Sequence, residues 1–209
     1  MKAHTKITQD QMTPQKALNF LKKGNERFQG NLKANRNLLE QVNDTSEGQF
    51  PFATILSCID SRVSAELVFD QGLGDIFSIR IAGNFINEDI LGSMEFACKL
   101  AGTKLIVVLG HTSCGAIKGA CDHARMGNLT ALINKIEPAV AAVKEPKDEG
   151  LRNSGNLEFV DNVSIMNVEK ALENVRERSR ILAEMEENNE IMIKGAMYDI
   201  KNGKVTFLD

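Results

Sequence analysis

The chain has no run of apolar residues long enough to span a bilayer, and its opening stretch, MKAHTKITQDQMTPQ, lacks the hydrophobic centre of a secretion signal. No membrane span or export is therefore expected, and the cytoplasm is the expected compartment. Positive charge is not in excess: the formal net charge is -3 at pH 7. That balance argues against nucleic acid and anionic membrane as partners and favours a small substrate. Internal repeats and low-complexity tracts are absent. Cysteine is scarce, with only Cys58, Cys98, Cys114 and Cys121, and in a reducing compartment these are thiols or metal ligands before they are disulfides.

What is present describes one soluble domain. Its 209 residues, 43% hydrophobic and 25% charged, suffice for a substantial core. Residues 1–48 read as a helical arm and 49–209 as an α/β core. In the arm, Ala17, Leu18, Leu21 and Phe28 recur at helical intervals after Thr13 as N-cap and Pro14 at the first helical position. Phe52 to Ser57 and Lys104 to Leu109 are short, continuous apolar runs, the mark of interior strands of a parallel sheet. Asp75 to Ala82 predicts a third strand, and Asp89 to Leu100 a helix. Further helices are expected from Cys114 to about Met126, from Leu129 to Val143, and, long or broken, from Leu157 to Glu186. The chain should close with a hairpin turning at Asn202-Gly203. The expected class is α/β, a mostly parallel central sheet flanked by helices.

Soft ligands stand where two apolar runs stop: SCIDSR at Ser57 to Arg62 and GHTSCG at Gly110 to Gly115. Sites in open α/β sheets form outside the carboxyl ends of strands. Neighbouring strands would bring Cys58 and His111 together, and Cys114, three residues after His111, can return to them through a turn. Two thiolates and an imidazole suit zinc and leave a fourth, catalytic position open. Asp60 and Arg62 fall beside that thiolate, the carboxylate placed to accept a hydrogen bond from bound water and the guanidinium to hold it off the metal. Released, Asp60 would become a fourth ligand. Cys98 and Cys121 are expected in the core, and His4 and His123 in solvent.

Cys-x-Asp-Ser-Arg followed some fifty residues later by Gly-His-x-x-Cys-Gly resembles the β-carbonic anhydrases. The likeness runs from about Gln49 to the end, through FSIRIAGN with Arg80, the helix with Glu95, GHTSCGAIKGA and YDIKNGKV. It implies a zinc enzyme that hydrates carbon dioxide to bicarbonate, built as an obligate dimer or a higher assembly. It also implies an arm exchanged between subunits and a site at their interface. By the same resemblance Gln49 binds substrate, and Phe77, Ala82, Phe96 and Gly115 line the pocket, with Phe96 and Ala82 replacing the tyrosine and valine often found in the plant-type branch. The other branch carries tryptophan three residues before the first zinc cysteine. Ile55 stands there, so no inhibitory bicarbonate site is expected beside Ile55 and Arg80.

Other readings fare worse. Three residues separate Cys58 from Arg62, where a phosphatase cradle needs five, and Phe77 stands where a dinucleotide fingerprint wants its third glycine after Gly72 and Gly74. A structural or redox-sensing zinc protein, and hydrolysis of carbon disulfide or carbonyl sulfide, remain as alternatives to carbon dioxide hydration.

Overall fold

The computed structural model describes residues 2–208. Strands β1 (Ala53–Ser57) and β3 (Leu105–His111) are buried at every position, as continuous apolar runs require when both faces of a strand are covered. With β2 (Ile76–Arg80), β4 (Met192–Tyr198) and β5 (Val205–Phe207) they form a sheet ordered β2-β1-β3-β4-β5. The first four strands are parallel and β5 returns antiparallel to β4. Ser57 lies beside Arg80 on one side and Leu109 on the other. The strand ends are thus flush, and Cys58 and His111 leave the sheet at one edge.

Alternation along β3 divides the core. Leu105, Val107 and Leu109 pack with Phe52, Phe69 and the arm helix α2 (Pro14–Gln29), while Ile106 and Val108 pack against the other layer. That layer contains α5 (Glu88–Glu95), α8 (Leu157–Arg178) and α9 (Arg180–Glu187). A third cluster joins α6 (Gly115–Cys121), α7 (Gly127–Ala142) and α8 around Cys58 and Cys114. Among the described residues no helix is long and apolar enough to cross a membrane.

Helix α2 begins as its sequence predicts, with the Thr13 side chain accepting from the Lys16 N–H and proline in the first turn. Two expectations need correction, and a third is made definite. The helix expected to reach Met126 ends at Cys121, where His123 turns left-handed at φ 50°. The pattern from 157 to 186 breaks at Ser179, whose extended backbone ends α8 while its hydroxyl caps α9 and donates to Glu95 at 2.6 Å. The stretch from 89 to 100 is helical, but its second half, Phe96–Leu100, is a π-helical turn. Helices α1 (Lys6–Asp10), α3 (Leu38–Asp44) and α4 (Ala65–Val68) were not expected; none is long enough to show an amphipathic period.

The arm lies on its own chain's core. Gly24 approaches Phe69 so closely that a Cβ would stand 1.8 Å from its carbonyl oxygen. The Asn25 side-chain amide donates to the carbonyls of Val68 (3.0 Å) and Gly203 (2.9 Å), and its oxygen accepts the Val205 N–H at 2.8 Å. Asp70 accepts from Arg27, Arg36 and the Ala34 N–H. On α3, Gln41 is buried and accepts from Leu73, while Leu38, Leu39 and Val42 face outward. Asn25→Ala would strand three backbone groups and is expected to lower the unfolding free energy by at least about 2 kcal/mol in urea denaturation. A loss below about 0.5 kcal/mol, the range of an ordinary surface change, would show that the arm is held by packing alone.

Candidate metal centre

Cys58 follows β1 directly and His111 ends β3, so sheet register alone makes them neighbours. Cys114 returns because Ser113 takes a left-handed φ of 54°, after which α6 starts. Three residues hold this turn. Asp161 of α8 accepts the Ser113 N–H at 2.8 Å, and Thr112 donates its N–H to the Tyr198 carbonyl at 3.0 Å while its hydroxyl accepts from the Ile200 N–H at 3.2 Å. The ligand atoms of Cys58, His111 and Cys114 lie within 4.8 Å of one another, and all three residues are buried.

The donor chemistry fits a tetrahedral cation. The sulfurs are 3.8 Å apart, and about 3.8 Å is the edge of a tetrahedron with metal–sulfur bonds near 2.3 Å. The Nδ1–H of His111 donates to the Thr112 carbonyl at 3.0 Å, which leaves the lone pair on Nε2. That Nε2 is fully buried and has no hydrogen-bond partner, a costly arrangement unless a cation takes the lone pair. Hydrogen bonding from the Cys114 thiol drives the Cys58 pKa far down, and the same bond, with burial, drives the Cys114 thiol up and holds its proton. A divalent cation would displace that proton. Cys98 and Cys121 lie in the core as expected, their thiols pushed up to about 11 by burial.

The surrounding shell comes from three directions. Gly83 donates its N–H to Cys58 Sγ at 3.4 Å, and its carbonyl accepts from the Asn167 amide of α8 at 2.8 Å. Only glycine suits this position: φ is 76°, and a Cβ would meet Ile136 at 2.4 Å. From β2, Arg80 donates to the carbonyls of Cys58 (3.0 Å) and Asp60 (2.7 Å), fixing the segment that bears the first ligand. Arg62 grips Asp60 with two parallel bonds of 2.9 and 2.7 Å, and its backbone N–H adds a third of 3.0 Å. Those bonds hold the Asp60 carboxyl well below the usual carboxylate range. Asp60 Oδ2 lies 3.9 Å from His111 Nε2, beside the cluster without joining it.

The pocket residues implied by resemblance divide into two sets. Ala82, next to Gly83, and the exposed Gly115, next to Cys114, border the cluster. Gln49 does not: it precedes the amino end of β1 whereas Cys58 follows the carboxyl end, and five strand residues at roughly 3.3 Å each lie between. Phe77 and Phe96 pack on each other, centroids 6.2 Å apart, along the outer side of the edge strand β2. They do not face their own chain's metal residues. His123 is exposed beside Glu137, as expected. His4 is not in open solvent but half-buried, edge-on to Phe20 and Phe52. Asp161, Asn167 and Thr112 were missed by sequence reading.

Comparison with known proteins agrees with this geometry. A family model described as carbonic anhydrase matches residues 53–205. Carbonic anhydrase 2 of Mycobacterium tuberculosis is 34% identical over 202 residues, covering 94% of this chain and 93% of that protein. In fold the chain is similar to the β-carbonic anhydrase CafA of Aspergillus fumigatus, with a TM-score of 0.70, 22% identity and coverage of 82% and 81%. It is similar also to tetrameric β-carbonic anhydrases of Sordaria macrospora, with a TM-score of 0.68, 22% identity and coverage of 79% and 84%.

If Asp161 holds the turn between His111 and Cys114, Asp161→Ala should weaken metal affinity by about 10- to 100-fold in competition with a chromophoric chelator. Far-ultraviolet circular dichroism should stay unchanged. Unaltered affinity would show that the turn holds itself.

Proposed function

The chain belongs to the β-carbonic anhydrase family, and from that membership we propose how its own side chains carry out the reversible hydration of carbon dioxide to bicarbonate and a proton. The observation that carries the reading is the buried, partnerless Nε2 of His111 facing two cysteine sulfurs. Zinc is the cation this donor set suits, and Cys58, His111 and Cys114 would hold it. When bound, zinc lowers the pKa of water from about 15.7 to roughly 7 and so supplies a nucleophile near neutral pH.

The protein's own part is positional. Asp60, kept ionised by Arg62, accepts a hydrogen bond from the attacking water and directs its lone pair toward carbon dioxide. Being so weakly basic, it orients the water and does not take the proton. Arg62 also keeps Asp60 from becoming a fourth ligand. Ala82 and Gly115 border the space for the substrate. A structural zinc site would want another protein ligand, and among the described residues the cluster offers three.

The substrate pocket is completed by a second copy of the chain. This reading rests on Gln49, Phe77 and Phe96 lying on the outer surface, away from their own metal residues. Strand β2 is an uncovered sheet edge with Phe96 and Leu100 exposed beside it, and α3 turns Leu38, Leu39 and Val42 outward. A dimer or larger assembly buries both surfaces. The cytoplasm suits the chemistry, because two buried thiols 3.8 Å apart would be lost to a disulfide in an oxidising compartment.

Stopped-flow hydration with zinc analysis tests the assignment. His111→Ala and Cys114→Ala should lose zinc and activity together, whereas Asp60→Ala should retain zinc while kcat/KM falls by about 10- to 100-fold. Full activity in the last variant would remove Asp60 from the mechanism, and zinc retained by the first two would refute the ligand set. Thiolates donate more charge to the metal than imidazoles do, so the nucleophile should form at higher pH than with three histidines. Hydration should therefore rise from neutral to alkaline pH. Since the Asp60 pKa is depressed, its ionisation is complete well below this range, and Asp60→Asn should lower the rate without moving the rise; a displaced rise would make Asp60 the titrating group.

A further inference from the structure

Helices α7 and α8 face each other across a cleft of about 200 Å³ whose lining includes Asn167. Facing helices ordinarily close such a seam with interlocking apolar side chains. Here α8 turns Asn167, Lys170, Asn174 and Arg178 toward it, at helical intervals of three and four, and α7 adds Asn134 and Lys135. Among the described residues no carboxylate lines the cleft, although the chain holds 28 acidic residues against 25 basic ones.

Cations gathered around one cleft repel each other; Lys170 is half-buried, and Lys135 and Arg178 stand exposed at the cleft's rim. Lys170 is 3.7 Å from Glu173, which stands 62% exposed outside the cleft. Among the described residues Lys135 and Arg178 have no ion-pair partner; Arg178 donates to the Ile86 carbonyl at 3.4 Å. The Asn167 and Asn174 amides already donate to the Gly83 and Lys170 carbonyls, so the three cations carry the demand, and they call for a ligand with more charge and more acceptor oxygens than a carboxylate has. A phosphate group has three such oxygens and close to two negative charges near neutral pH. Phe85 and Pro138 add an apolar wall suited to a small organic group. The volume is below the roughly 300 Å³ at which drug-sized sites begin.

We propose that this cleft binds a small phosphate monoester, its phosphate among Lys135, Lys170 and Arg178 and its organic group against Phe85 and Pro138. The site is separate from the metal centre, although Asn167, which lines it, also holds Gly83 beneath Cys58. The inference does not depend on the reaction proposed above.

Isothermal titration calorimetry on the zinc-loaded protein tests it with phenyl phosphate, inorganic phosphate and benzoate as probes. Phenyl phosphate is expected to bind with one-to-one stoichiometry, at least about tenfold tighter than either other probe. Lys135→Gln/Lys170→Gln, and separately Arg178→Gln, should each weaken it about tenfold or more, with the double variant's hydration rate and melting temperature unchanged. Equal binding by wild type and variants would place the anion at the metal centre and overturn the proposal, as would absence of binding. Benzoate binding as tightly would exclude phosphate recognition, and inorganic phosphate doing so would exclude the organic group.

Discussion

Two sulfurs held 3.8 Å apart in a buried place cannot both carry charge unless a cation stands between them and the facing imidazole. Placing two like charges at that separation, shielded from water, costs several kcal/mol. The same arrangement around a divalent ion turns the cost into binding energy. The rest of the structure serves this constraint. Flush strand ends bring Cys58 and His111 together, a left-handed Ser113 returns Cys114, and hydrophobic packing of α6, α7 and α8 keeps water from the sulfurs.

Packing alone does not aim three side chains at one point; backbone hydrogen bonds from distant elements do. Helix α8 supplies two of them, Asp161 to Ser113 and Asn167 to Gly83. Strand β2 supplies Arg80, and the β4 end fixes Thr112. Each acts on a residue beside a ligand or on its backbone. The ligands are therefore positioned by the main chain, which is stiffer than side chains, and their geometry follows the sheet and α8 as rigid bodies. The Gly83 N–H bonds directly to a ligand atom, Cys58 Sγ.

This division explains how much could be read from the chain in advance. The interior strands and the three metal residues were legible because apolar runs and soft ligands are local signals: Cys58 ends one run and His111 the next. Arg80 and Asn25 were present in the text without a sign of what they hold. Asp161 reaches its partner across 48 residues and Asn167 across 84, and an aspartate or asparagine on a helix face is ordinarily a solvated residue. The end of α6 before His123 and the exact place of the break at Ser179 were equally silent, since neither residue is a glycine or a proline. Gln49 and the two phenylalanines were read as pocket residues from resemblance, whereas in the single chain Gln49 lies before the amino end of β1 and the phenylalanines lie along the edge strand, away from the metal residues.

The Asp60–Arg62 pair is built differently from the cysteine pair. Arg62's side chain is 52% exposed and that of Asp60 14%, so water screens their attraction, and an ordinary pair this exposed contributes about 1 kcal/mol or less. Bidentate geometry and the added backbone N–H raise that value, yet the pair is a side-chain restraint open to solvent. Asp60 sits on the Cys58 segment, whose carbonyls Arg80 fixes, so its side chain can swing while its backbone stays. In the proposed mechanism a side-chain rotation under modest restraint would guard the fourth position, whereas the three ligand positions are set by the fold. On that mechanism, whatever competes for the Arg62 guanidinium would alter access to the metal without disturbing the metal's own ligands.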